Sequence, residues 1–249
     1  MTVYIIEIIL LLFGALALIA LLRAYVSKYQ PIWVIPLAQR RLSLLFTLIF
    51  TLLAVEISIS VLGERTSKFD TAFLLYLRAH ISPGAHEFFE MVTWSGSSRY
   101  LIPAIALCCI SLWLKTHRQE AVLLAGSGLA AMLTTFLLKL AVARDRPALW
   151  ETAYYWGASF PSGHTLGTAA CATAGLLCVR RLWPKGSQLA AITAVSWIFL
   201  VGLSRLVLGV HWPTDVLAAA CIGMTLAFSI DLSLEILIQR RLLRGAIGT

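Results

Sequence analysis

The sequence predicts an all-α protein, a polytopic bundle of transmembrane helices. Of its 249 residues, 59% are apolar, and the mean hydropathy of +0.85 is too high for a soluble domain of that length. Apolar runs near twenty residues recur along the chain, each long enough to cross a hydrocarbon core of about 30 Å as a helix. Basic residues gather in the short intervals between runs, as topology signals do. A helix satisfies its backbone within one segment, which lipid demands. No polar linker divides the chain, so it reads as one bundle.

The net charge of +8 does not imply a nucleic-acid partner. The cations sit between apolar runs, and no basic stripe is interleaved with aromatics. Cys108, Cys109, Cys171, Cys178 and Cys221 fall inside apolar runs without the spacing of a zinc site or a disulfide framework. They read as small helix-core residues.

The first run covers residues 3–22. A secretory leader opens on a basic region, but MTVYIIEI carries Glu7 and no Lys or Arg, so a retained helix is expected. Residues 23–41 hold Arg23, Lys28, Arg40 and Arg41 with no acid, which suits the cytoplasm. The second run, 42–62, contains Glu56. A carboxylate at membrane depth is a functional candidate by default; the plainer reading is a hydrogen-bonded residue facing another helix. In the mixed segment 63–97, Phe69, Phe73, Leu74, Tyr76 and Leu77 recur at helical spacing with Arg78 beyond. This predicts a short helix in the membrane interface, broken at Ser82-Pro83-Gly84. His80 and His86 read as surface residues.

The third run is 98–114, followed by a basic turn at Lys115–Arg118. The fourth, 121–143, contains Lys139, a costly charge unless it faces a polar site near the membrane edge. The loop 144–161 carries Arg144, Asp145, Arg146, Pro147 and Glu151. Its Trp150, Tyr154, Tyr155 and Trp156 suit an interface belt. Runs at 163–179, 188–208 and 214–237 complete seven spans. Seven spans put 23–41, 115–120, 180–187 and 238–249 on one side. Those segments hold most of the lysines and arginines, so that side is expected to be cytoplasmic. The polar ends of the fourth to seventh spans then share the outer face.

Three pieces at that face carry chemistry. Lys139 and Arg146 are seven apart, two turns on one helical face, and Pro147 should end the helix there. A snorkelling lysine beside an ordinary loop arginine is the alternative. In Phe160-Pro161-Ser162-Gly163-His164, Ser162 suits an N-cap. Gly163 admits close approach of a backbone N–H, and a helix N-terminus binds phosphate. His164 falls in the first turn; a capped start with an interfacial histidine is the plainer reading. Arg205 ends the sixth span. His211 and Asp215 are four apart where the seventh begins, with Pro213 suited to a first helical position. A carboxylate on one ring nitrogen leaves the other as nucleophile or base; a structural His–Asp cap is the alternative.

In this order, Lys-x6-Arg-Pro, Pro-Ser-Gly-His and Ser-Arg-x5-His-x3-Asp resemble the type 2 phosphatidic acid phosphatase family, which shares its phosphate site with vanadium haloperoxidases. All three motifs match. Weaker resemblance runs over about residues 42–237, including the FD…LR stretch. It implies a six-helix transmembrane core at 42–237. Residues 1–41 would add an N-terminal helix and a basic loop, and 238–249 a basic tail. It also implies a membrane-bound hydrolase of lipid phosphates or diphosphates, such as undecaprenyl diphosphate, phosphatidylglycerol phosphate or phosphatidic acid. His211 would attack phosphorus and form a phosphohistidine. Asp215 would orient His211, and His164 would protonate the departing oxygen. Lys139, Arg146 and Arg205 would hold the phosphoryl oxygens, assisted by Ser162 and the Gly163 N–H. Phosphoryl transfer needs positioning and charge stabilisation, which three cations supply. No acidic cluster suited to Mg²⁺ is evident, so neither metal nor cofactor is expected. The expected setting is a bacterial-type plasma membrane with the site facing the periplasm or exterior. A lipid phosphotransferase and a non-enzymatic lipid or anion transporter are the competing readings.

Overall fold

The computed structural model describes residues 40–82, 84–152 and 157–247, with isolated positions between 14 and 28. The expected span at 3–22 and most of the loop aromatics therefore lie outside the described residues. From residue 40 onward the helices are α1 (Arg41–Leu62), α2 (Ser67–His80), α3 (Ala85–Ser95), α4 (Ser98–Leu114), α5 (Arg118–Val142), α6 (Gly163–Leu182), α7 (Ser187–Val207) and α8 (Pro213–Ile247). No strand occurs among the described residues.

The short interfacial helix expected around residues 69–78 is α2. The second half of that mixed segment is also helical, over Ala85–Ser95. Helix α8 runs on through most of the expected basic tail. His80 stacks on Tyr76 at 4.1 Å and His86 sits 3.8 Å from Glu90, both at the surface. Glu56 is half-buried and accepts from Ser60 Oγ of the same helix at 3.4 Å.

Among the described residues, four helices are long and apolar enough to cross a membrane: α1, α5, α7 with its preceding 3₁₀ turn, and α8. A fifth span results if α3 and α4, bent by 43°, count as one. Leu107, Leu129, Phe136, Leu140 and Phe199 stand exposed on these helices, the apolar exterior of a multi-pass membrane protein. Helix α6 differs. It is built from Gly, Ala, Thr and Cys and is packed among α4, α5, α7 and α8. A helix covered on all sides needs no lipid-facing surface, and small residues let neighbouring backbones close in. At Gly223 of α8, an added Cβ would lie 2.5 Å from the Leu166 carbonyl oxygen of α6. Cys171 and Cys178 of α6 and Cys221 of α8 are buried as expected, whereas Cys108 is exposed.

Short connections alternate the helix directions. The end of α5, the start of α6, the end of α7 and the start of α8 therefore gather at one end of the bundle. At the other end charges clasp the helices. Arg181 of α6 donates to Asp231 of α8 and lies 3.9 Å from Glu120 of α5. Arg40, before α1, donates to Glu235 at 3.1 Å. On the same flank, Phe46 and Phe50 stack on Phe228 at 5.5 and 6.4 Å.

Candidate active site

Lys139 and Arg146 meet, but not on one helix. Helix α5 stops at Val142, and Ala143 adopts φ 47°, donating its N–H to the Lys139 carbonyl at 3.2 Å. This left-handed residue turns the chain out of the helix, a common device at helix ends. The expected two-turn spacing is thus replaced by a helix end and an extended loop. The convergence survives because the loop folds back. Lys139 Nζ and Arg146 Nη2 both donate to the carbonyl oxygen of Ala158, the latter at 3.4 Å. Arg146 also donates to the carbonyls of Gly157 at 2.9 Å and Val210 at 2.8 Å. Its Nη1 lies 3.4 Å from His211 Nε2.

His211 comes from the turn between α7 and α8. Gly209 makes that turn with φ +67°, and a Cβ there would lie 2.5 Å from the Trp150 ring. Both facts require glycine. Pro213 opens α8 and brings Asp215 up beside the ring. His211 Nδ1 lies 3.6 Å from Asp215 Oδ2 and 3.3 Å from Ser159 Oγ. The Ser159 hydroxyl donates to Asp215 Oδ2 at 2.5 Å. Its lone pairs remain for the Nδ1 proton, so the tautomer with a bare Nε2 is the one these contacts favour. His211 is only 2% exposed. Burial drives its pKa down to about 3, against the pull of Asp215 and with the help of Arg205 and Arg146. The ring is therefore neutral with a free Nε2 lone pair beside a fixed cation.

Ser162 occupies the N-cap position of α6, but its side chain makes no capping bond. Its hydroxyl instead accepts from Thr165 Oγ1 at 3.0 Å, and its N–H donates to the Asp215 carbonyl at 3.3 Å. Burial of both residues makes the inward bond the better partner. Gly163 and His164, the first two residues of α6, line one cavity together with Lys139. Lys139, Arg146, Arg205 and His211 all lie within electrostatic reach of the His164 ring. Arg205 is fully buried, and its Nη1 donates to Thr93 Oγ1 of α3 at 2.6 Å. A guanidinium withdrawn from water is costly unless its donors are held. The site thus gathers all eight residues singled out in the sequence.

Four further residues belong to it. Arg144 Nη1 donates to Asp215 Oδ1 at 2.6 Å, and its Nη2 to Asp70 Oδ2 at 2.7 Å. Ser159 bridges His211 and Asp215, and Thr93 holds Arg205. Asp70 had a legible signal: it shares the stripe of Phe73, Leu74 and Leu77 on α2, where a carboxylate needs a partner. Ser159 and Thr93 had none.

The sequence of this chain matches known proteins in the same region. The PAP2 superfamily pattern aligns with residues 120–233, which include all eight motif residues. Undecaprenyl-diphosphatase BcrC of Bacillus subtilis is 32% identical over 140 residues, covering 53% of this chain and 68% of that protein. The chain belongs to the PAP2 superfamily. Another PAP2 relative, phosphatidylglycerophosphatase B of Bacillus subtilis, is 28% identical over 185 residues, covering 73% of this chain and 89% of that protein. The fold matches a solved one as well. The crystal structure of a transmembrane PAP2-type phosphatidylglycerolphosphate phosphatase from Bacillus subtilis superimposes with a TM-score of 0.69 at 24% identity. It covers 74% of this chain and 94% of that one.

Proposed function

We propose that this chain is an integral membrane phosphatase acting on lipid phosphates or diphosphates through a phosphohistidine. One observation carries the reading. Lys139 and Arg146 donate to a single oxygen, and Arg146 also lies 3.4 Å from His211 Nε2. A phosphoryl oxygen held by those cations puts phosphorus beside a bare nucleophile.

The chemistry follows from the groups present. The Nε2 lone pair of His211 forms the N–P bond as the P–O bond to the lipid breaks. Asp215 and Ser159 hold the Nδ1 proton and stabilise the cationic ring. With the bound phosphate's negative charge offsetting the cations around its ring, His164 takes up a proton and gives it to the departing oxygen. In the second half, neutral His164 takes a proton from water as it attacks phosphorus. The P–N bond breaks, and phosphate leaves. Lys139, Arg146 and Arg205 stabilise charge on the equatorial oxygens in both halves. Ser162 and the Gly163 N–H at the start of α6 assist. These fixed cations fill the role of a divalent ion.

The lipid reading rests on the cavity at His164 and Lys139. Its volume is about 580 Å³, and it runs between α4, α5 and α6 past Leu101, Ile105, Met132 and Gly128 to Cys109 and Ala125. From Lys139 to Ala125 is fourteen residues of helix, about 21 Å. That is most of a hydrocarbon core. A phosphate site opening into an apolar groove of that depth suits a phosphorylated lipid. The basic clusters at the far end support an outward-facing site in a bacterial-type plasma membrane.

The test is phosphate release by purified protein from undecaprenyl diphosphate, phosphatidylglycerol phosphate, phosphatidic acid and lipid A phosphate, in EDTA. Release from at least one, without added acceptor, is expected. Release only with an acceptor alcohol would make the chain a phosphotransferase. Binding of all four without release would make it a transporter. Loss in EDTA restored only by Mg²⁺ would overturn the cation-only site.

A further inference from the structure

Beyond the residues that touch phosphate, we propose that Arg144 and Asp70 form a positioning pair that sets the Asp215 carboxylate, and through it the attacking nitrogen of His211. The proposal rests on the phosphatase reading above and concerns two residues to which its three motifs give no role.

Asp215 is fully buried, and each of its oxygens has a separate duty. Oδ2 takes Ser159 Oγ, the Trp212 N–H at 3.0 Å and, at 3.6 Å, the side of His211 Nδ1. Oδ1 takes Arg144. The Arg144 fork then reaches past Asp215. Nη1 also donates to Thr214 Oγ1 at 2.9 Å, and Nη2 donates to Asp70. Asp70 closes the ring by accepting from the Thr214 N–H at 3.1 Å and the Thr214 hydroxyl at 2.8 Å. Both carboxylates are 0% exposed. One guanidinium therefore binds two buried carboxylates and the first turn of α8.

This arrangement has two consequences. Geometrically, Arg144 holds Oδ1 from one side while Ser159 and the Trp212 N–H hold Oδ2 from the other, which fixes the rotation of the Asp215 carboxylate. Electrostatically, Arg144 alone would draw off the negative charge that Asp215 must present to the His211 ring. The Asp70 carboxylate on its other side balances that cation. Asp215 then keeps its pull on Nδ1 while His211 bonds to phosphorus. Because Asp70 lies on α2, the interfacial helix is tied to the nucleophile by one continuous chain of bonds.

The test compares Arg144→Lys and Asp70→Asn with wild type using two anions. Orthovanadate accepts a fifth ligand, so its affinity reports on His211 Nε2. Inorganic phosphate is held by the cations alone. The expected result is a rise of about tenfold or more in the vanadate inhibition constant, with that of phosphate within about twofold. On the best lipid substrate, kcat should fall about 10- to 100-fold with KM little changed, as for other partners that orient an active group. If Asp70→Asn does not fold, Arg144→Lys decides alone. Equal losses for both anions, or no loss per folded molecule beside a lower melting temperature, would overturn the proposal and leave a purely structural link. Wild-type protein that binds neither anion would overturn the phosphatase reading, and this proposal with it.

Discussion

Arg146 Nη1 lies 3.4 Å from His211 Nε2, so in the proposed mechanism the cation that grips the substrate also borders the atom that attacks it. Substituting His211 by Ala should abolish turnover and leave the fold intact, since the groups around the ring keep other bonds: Arg146 to Val210, Ser159 to Asp215, and Asp215 to Arg144. Arg146→Gln should lower kcat by about 10²–10³, the usual loss for one preorganised donor to a transition-state oxygen. Arg146→Lys should restore only part of that, because an ammonium cannot serve Gly157, Val210 and a phosphoryl oxygen at once. Phosphate release by each variant, normalised to folded protein, checks this. Retained activity in His211→Ala would remove the nucleophile assignment.

Acid should weaken the fold through His211. Its pKa is driven down to about 3 by burial, against about 6.5 in an unfolded chain. Between those values the unfolded state binds a proton that the folded state refuses, so stability rises with pH across this window. The contribution is present above about pH 6.5 and is lost as pH falls toward 3. The melting temperature in detergent should therefore drop between pH 7 and pH 4, and drop less in His211→Gln. An identical drop in both proteins would show that other groups carry the acid sensitivity.

The far end of the bundle should matter for stability alone. Asp231 is fully buried and bonded to Arg181, eighteen residues along α6 from Gly163, about 27 Å. Asp231→Ala leaves the buried Arg181 guanidinium only the more distant Glu120, at a cost of up to about 3–5 kcal/mol. Replacing Asp231 and Arg181 by Leu together with Glu120→Gln removes all the charges that would be stranded and should recover much of that loss. Turnover per folded molecule should be unchanged in both, read from denaturation and phosphate release on the same preparations.

Spacing in the chain made the eight candidate residues legible because each stands at or just beyond a helix end, where a charge or a glycine in an apolar sequence is conspicuous. The route by which they meet was less legible. Lys139 and Arg146 read as one helical face, but the left-handed Ala143 ends α5 between them, and nothing local marks an alanine for that conformation. Helix α3 was missed because its eleven residues, AHEFFEMVTWS, are too short and mixed for a span. The partners Ser159 and Thr93 are polar residues of ordinary kinds. Only the folded chain shows that Arg205 and the His211–Asp215 pair depend on them. Arg144 was in view as part of RDRP, yet one arginine of two looks like the other until Asp70, seventy-four residues away, is brought beside it.

If the groove between α4, α5 and α6 receives the lipid chain, its bore should set which lipids are turned over. Gly128 lies toward the inner end of its wall, and a Cβ there would already stand 3.2 Å from Ile105 Cδ1. Leucine at 128 would fill the passage about 17 Å below Lys139, eleven residues along the helix. It leaves the phosphate site untouched. Gly128→Leu should therefore cut kcat/KM for long-chain phosphatidic acid while sparing a short-chain phosphate ester that never reaches that depth. The loss should appear mainly in KM, since the blocked contact exists before and during reaction alike. Paired assays on the long and short substrates separate this from a folding defect, which would reduce both in proportion. An equal reduction in both would mean that the lipid lies elsewhere and that this cavity is not its path.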